Sequence, residues 1–135
     1  MSIPVVMSVD LASLPRVARG KVRDLYEVDA STLLFGTTDR ISAYDVILDN
    51  GVPQKGAVLT QMTRWWLGFL TTKIPGLKTH FVSLDPPAGL TPEEKAVVRG
   101  RSMQVRKLKV FPVEVIVRKS PPLLYPHSGN VLTLM

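Results

Sequence analysis

The sequence predicts an α+β fold, an antiparallel sheet lobe with helices set to one side. Three observations lead there. Strand-like segments dominate the order of elements, and the two helical segments fall between the third strand and the last pair. A tight turn at Asp29-Ala30-Ser31 joins the first two strands as a hairpin. The chain has 135 residues, 45% of them hydrophobic, which suits one domain with a genuine core.

Taken in order, residues 19–29 read RGKVRDLYEVD. Val22, Tyr26 and Val28 share one parity, and Arg19, Lys21, Arg23 and Glu27 the other, as on a half-buried strand. Residues 32–37 (TLLFGT) form its hairpin partner. Residues 38–45 (TDRISAYD) read as a strand end running into a loop, and residues 47–54 carry the turn residues Asp49-Asn50-Gly51 and Pro53. A helix over 56–70 follows. There Leu59, Met62, Trp66 and Phe69 recur on one face, which assigns the tryptophans to core packing, and Lys73-Ile74-Pro75-Gly76 ends it.

Residues 79–84 (THFVSL) predict a strand and Asp85-Pro86-Pro87 a connector. Thr91-Pro92-Glu93-Glu94 starts a short helix: a Thr cap, proline in the first turn, and carboxylates facing the helix dipole. It ends near Gly100. Strands over 103–110 and 113–118 complete the pattern, separated by Phe111-Pro112.

Seventeen Lys+Arg against eleven Asp+Glu give a net charge of +6, which calls for anionic partners such as phosphate esters or nucleotides. The absence of cysteine excludes thiol nucleophiles, disulfides and Cys-based zinc sites, and two histidines supply no His cluster. No leader pattern opens the chain and no apolar run approaches the ~20 residues of a membrane span, so a cytoplasmic protein is expected. Nucleic-acid binding is a weaker alternative, because aromatic residues are not interleaved with the basic ones.

Three clusters carry candidate chemistry. Gly20 permits close approach of backbone to a ligand, with Lys21 and Arg23 placed to reach phosphate oxygens; the alternative is an exposed charged strand face. Asp39, Arg40, Ser42 and Asp45 crowd into a short stretch, where Arg40 can pair with a carboxylate and either Asp can orient an amine or a metal; a self-capped turn is the alternative. Lys107, Lys109, Glu114 and Arg118 lie on the last two strands, as ligand groups or as sheet-surface ion pairs.

The segments RGKVRDLY, TTDRISAYDVIL, GxxLTQMTRWWLGFL and VRKLKVFPVEVIVR, in this order, resemble the N-terminal ATP-binding lobe, kinase-like or ATP-grasp-like, of the SAICAR synthetase family. The resemblance implies a ligase of de novo purine biosynthesis that joins L-aspartate to carboxyaminoimidazole ribotide, forming SAICAR, ADP and phosphate. It implies ATP as co-substrate with Mg²⁺. By resemblance Gly20, Lys21 and Arg23 lie over the ATP phosphates, and Lys107 to Val110 form a strand and hinge beside the nucleotide, with backbone contacts to adenine around Lys109 and Val110. Glu114 faces the nucleotide and, indirectly, the metal. Asp39, Arg40, Ser42 and Asp45 line the substrate side, and Arg118 begins the grip on the ribotide phosphate. No single residue is assigned as catalytic.

The resemblance covers about residues 17–118, which assigns 1–118 to this lobe, and 119–135 form a divergent tail rich in proline, expected to be irregular. The family's later Asp-x-Lys-x-Glu-Phe-Gly motif is absent. The expectation is a truncated gene product without a second lobe, either an incomplete enzyme or a catalytically dead nucleotide-binding fragment, with apolar surface left open on its sheet or hinge.

Overall fold

A computed structural model describes residues 3–115 and 131–132. Its centre is a five-stranded antiparallel sheet built from β1 (Arg16–Arg19), β2 (Arg23–Glu27), β3 (Thr32–Thr37), β6 (Phe81–Ser83) and β7 (Ser102–Arg106). These run side by side in the order β1-β2-β3-β7-β6. A separate ribbon pairs β4 (Arg40–Ala43) with β5 (Val46–Gly51), and β8 (Glu114–Val115) pairs in parallel with β9 (Val131–Leu132).

Opposed residues share a face. Asp24 opposes Gly36 and Tyr26 opposes Leu34 on one side, while Arg23 opposes Thr37 and Phe35 opposes Met103 on the other. The first face holds the core, where Tyr26 and Leu34 pack with Val9, Leu11, Leu90 and Val98. Val98 comes from helix α2 (Pro92–Val98), and Val9 and Leu11 come from the N-terminal segment. Helix α1 (Lys55–Lys73) lies against the second face, with Thr60 Oγ1 bonded to Thr37 Oγ1 at 3.2 Å. The two helices therefore sit on opposite faces, which corrects the one-sided arrangement expected from their adjacency in sequence.

The start of α2 forms as read. Thr91 Oγ1 accepts from the Glu94 amide, and the Glu94 carboxylate accepts from the Thr91 amide at 2.9 Å. The other Glu94 oxygen accepts from the Ser13 amide at 3.0 Å, tying the N-terminal segment to α2. Bonds to Ser13 first, then to Thr91, hold this carboxyl at about 2.

Three expectations about the strands are corrected. The strand over 19–29 is broken: Gly20, Lys21 and Val22 turn the chain between β1 and β2. Residues 47–54 are mostly strand, and the turn that serves them is Tyr44-Asp45, both at positive φ (49° and 66°), as a two-residue hairpin demands. The strand over 103–110 ends at Arg106, beyond which residues 107–113 run without regular structure and exposed.

Helix α1 does not bury its aromatic face. Its buried residues are Gly56 and Thr60, while Trp65 and Trp66 are 58% and 48% exposed and pack on each other and on Phe69. Periodicity identifies the apolar side of a helix but not which side the sheet covers. Here the second face meets α1 through small residues: a Cβ at Gly56 would stand 2.5 Å from the Thr37 carbonyl oxygen and 2.8 Å from that of Thr38. Large apolar side chains are exposed on α1, away from the sheet or hinge where open surface was expected, and also at Leu108, Val110 and Phe111.

Candidate functional site

The Gly20 turn is closed by its own amide, which donates to the Arg23 carbonyl at 2.7 Å. A Cβ at Gly20 would stand 3.1 Å from that oxygen, so the closure is comfortable only without a side chain. The three carbonyls of the turn are held from behind by the chain entering β4. Arg40 Nη2 donates to Gly20 O and Nε to Lys21 O, both at 2.9 Å. Val22 O accepts from the Thr38 amide at 3.0 Å and from Thr38 Oγ1 at 2.9 Å. Arg40 also reaches Met7 O at 3.3 Å and Asp24 Oδ1 at 3.2 Å.

Asp24 is fully buried, yet every group around it satisfies it: Arg40, Arg19 Nε at 3.1 Å and the Val9 amide at 3.2 Å. Its charge in turn raises the pKa of Arg19. One residue along from Arg40, the Asp39 carboxylate is also fully buried. It accepts from the amides of Val6 and Gly56 and from Arg101 Nη1, each at 2.9 Å. Burial alone pushes this carboxyl up, but Arg101 and the two amides together prevail and hold it below its ordinary 3.8. The Gly56 amide is the first turn of α1, so Asp39 also occupies the anion position at that helix N-terminus.

On the second face a cavity of about 280 Å³ opens between sheet and helix, lined among others by Arg23, Phe35, Thr37, Thr63, His80 and Met103. Arg23 is exposed at its rim, and its side chain has no hydrogen-bond or ion-pair partner among the described residues. A free guanidinium beside two threonine hydroxyls and an apolar floor suits a ligand with an anionic end and a flat apolar body. Lys21, half exposed, pairs with Asp45 at the tip of the β4–β5 ribbon.

The structure thus brings Gly20, Lys21, Arg23 and Asp45 to one edge of the sheet. Asp39 and Arg40 stand behind them, engaged within the protein. Ser42 lies on β4, half-buried. Lys107 pairs with Glu27 at 2.8 Å, and Lys109 and Val110 lie in the exposed stretch beyond β7. Glu114 is in β8, and Arg118, with most of the 119–135 tail, lies outside the described residues. The sequence reading missed Asp24 and Arg101, the buried charges that fix the site from behind. The one signal for Asp24 was its parity, shared with Val22 and Tyr26.

A profile of SAICAR synthetase matches residues 16–121. The chain belongs to the SAICAR synthetase family. It is 54% identical over 128 residues to the phosphoribosylaminoimidazole-succinocarboxamide synthase of Cyberlindnera jadinii, covering 87% of this chain and 42% of that one. With the Saccharomyces cerevisiae enzyme it shares 50% identity over 114 residues, covering 78% and 36%. Among solved structures, the yeast SAICAR synthase complexed with SAICAR superposes with a TM-score of 0.65 at 44% identity, over 82% of this chain and 38% of that one. A type-2 SAICAR synthetase in complex with ADP shares the fold, with a TM-score of 0.53 at 23% identity over 70% and 34% of the two chains. The chain therefore spans about two fifths of these SAICAR synthetases, and its sheet and two helices correspond to their N-terminal region.

Proposed function

We propose that this chain supplies the nucleotide-binding lobe for the ATP-dependent joining of L-aspartate to carboxyaminoimidazole ribotide, giving SAICAR, ADP and phosphate. The observation that carries this is Arg23, unpaired among the described residues, at the mouth of the sheet–helix cavity beside the glycine turn and Lys21. Two cations and a close-approach turn at one sheet edge suit the phosphates of a nucleotide, and the cavity suits its flat base. The relatives named for SAICAR and ADP support the same ligands.

Chemically, a carboxylate resists attack by an amine until one of its oxygens takes the γ-phosphoryl group of ATP, giving an acyl phosphate and ADP, from which the amine then displaces phosphate. The lobe's task is to hold the triphosphate in place for that transfer. Lys21 and Arg23 are assigned to the phosphates, with Lys107, Lys109, Val110 and Glu114 along the nucleotide. Ser42 and Asp45 are assigned to the substrate side, and Arg118 to the ribotide phosphate. No group of three or more His, Cys, Asp or Glu side chains able to hold a metal exists among the described residues. These residues alone do not make a Mg²⁺ site, and in this reading the ion arrives with the ATP phosphates. The reading also places the chain in the cytoplasm.

Calorimetry with Mg-ATP beside a SAICAR-forming assay tests the proposal. Binding with turnover supports the ligase. Binding without turnover reduces the chain to a nucleotide-binding fragment. Salt-sensitive RNA or DNA binding with no affinity for ATP would overturn it.

A further inference from the structure

The arrangement behind the glycine turn assigns a role to Arg40. We propose that Arg40 is a positioning residue for nucleotide phosphate: it holds the Gly20 and Lys21 carbonyls so that the Lys21 and Val22 amides face outward as ready donors. This deepens the nucleotide reading above and rests on it.

The chain has no cis peptide bonds among the described residues, and a trans peptide sets its N–H and C=O on opposite sides. Two successive carbonyls, of Gly20 and Lys21, both point at one guanidinium. The amides on the far side of those two peptides belong to Lys21 and Val22, and they therefore face away from Arg40. Neither has a hydrogen-bond partner among the described residues. Amide donors fixed before a ligand arrives cost nothing to reorganise, and hydrogen bonds from them to an ionised oxygen are the strong kind.

Arg40 is well suited to hold and poorly placed to bind. Its side chain is 9% exposed, and four of its five N–H donors are taken by Gly20, Lys21, Met7 and Asp24. Asp24 fixes the fork from the core side and Thr38 secures the next carbonyl, so the turn is gripped at three consecutive peptides. A lysine keeps the charge at this position but not the flat fork that reaches two carbonyls at once.

The test compares Arg40→Lys with the unaltered chain for ATP and for adenosine, which offers the base and sugar without phosphate. The expected result is ATP affinity lowered about tenfold or more while adenosine affinity changes less than about twofold. Equal losses for both ligands, or no loss for either, would overturn the role given to Arg40. An unaltered chain that binds neither ligand would instead remove the nucleotide reading itself.

A second measurement needs no variant. In ¹⁵N-labelled unaltered chain, ADP should shift the Lys21 and Val22 amide protons downfield and slow their exchange, whereas adenosine should leave both unchanged. Amides that ignore ADP while Arg23 neighbours respond would refute the proposal even if Arg40→Lys failed to fold.

Discussion

Replacing Asp39 by asparagine tests whether a buried carboxylate organises this lobe. The change keeps the side-chain shape and alters only charge and one acceptor. Asp39 accepts three bonds at 2.9 Å, with Gly56 N–H and Arg101 on one oxygen and Val6 N–H on the other. An amide can present its oxygen to only one side, so either the Val6 amide or the Gly56–Arg101 pair faces an N–H group instead. A buried donor left unmatched costs about 1–3 kcal/mol. Removing one partner of a buried ion pair costs about 3–5 kcal/mol, and Arg101 is nearly as buried as Asp39. The two descriptions overlap, so the expected loss is about 3–5 kcal/mol in total.

At roughly 2.1 cal/mol/K of unfolding entropy per residue, a chain of this length loses about 3–4 °C of Tm per kcal/mol, or about 10–17 °C here. The assay is a thermal melt followed by circular dichroism, with urea titration as a check that the transition stays cooperative. A fall in Tm below about 3 °C would refute the reasoning. Acid adds a second reading. The Asp39 pKa is lowered in the folded state, so its contribution is complete above the ordinary 3.8 and is lost as pH falls through the folded value. The acid side of the unaltered chain's stability profile should therefore be steeper than that of Asp39→Asn.

Four further outcomes are expected. Arg23→Gln should weaken ATP binding about tenfold with Tm unchanged within about 2 °C, since no described residue pairs with that guanidinium, and calorimetry with a parallel melt checks both. Gly56→Ala should destabilise by about 1–3 kcal/mol in urea, against the ~1 kcal/mol that alanine gains in an open helix, because the added carbon meets two fixed carbonyls. Thr91→Ala should cost about 1 kcal/mol by loss of the α2 cap. Glu94, the partner of that cap, has its carboxyl lowered to about 2, so its stabilisation is full above 4.5 and fades as pH falls toward that lower value. Melts of Glu94→Gln and the unaltered chain should converge in strong acid.

What the residues disclosed in advance, and what they hid, follows from the physics each signal reports. The Thr91 cap and the TLLFGT strand were legible because local hydrogen bonding and alternation decide them. The motifs around Gly20 located the site's edge. Asp49-Asn50-Gly51 misled because turn-favouring residues also tolerate an exposed ribbon, and the bend is made by Tyr44-Asp45 instead. The burial of Asp24, Asp39, Arg40 and Arg101 was hidden for a different reason. Patterns of hydropathy assign charges to the surface, and the partners that make burial possible are mostly distant in sequence, as Val9 is from Asp24 (15 residues) and Arg101 from Asp39 (62 residues). On α1 the aromatic stripe named an apolar face correctly, but the covered face was the narrow one of Gly56 and Thr60.

Asp39 and Arg40 are neighbours in the chain, with α-carbons about 3.8 Å apart, and they point to opposite duties. One plugs the beginning of α1 and the other backs the glycine turn. A single peptide is thus the axle between a helix seat and the glycine turn. Tilting α1 at its first turn pulls on Asp39, and the displacement reaches the Gly20 and Lys21 carbonyls through one rigid link. Helix seat and glycine turn therefore meet at one peptide, between Asp39 and Arg40.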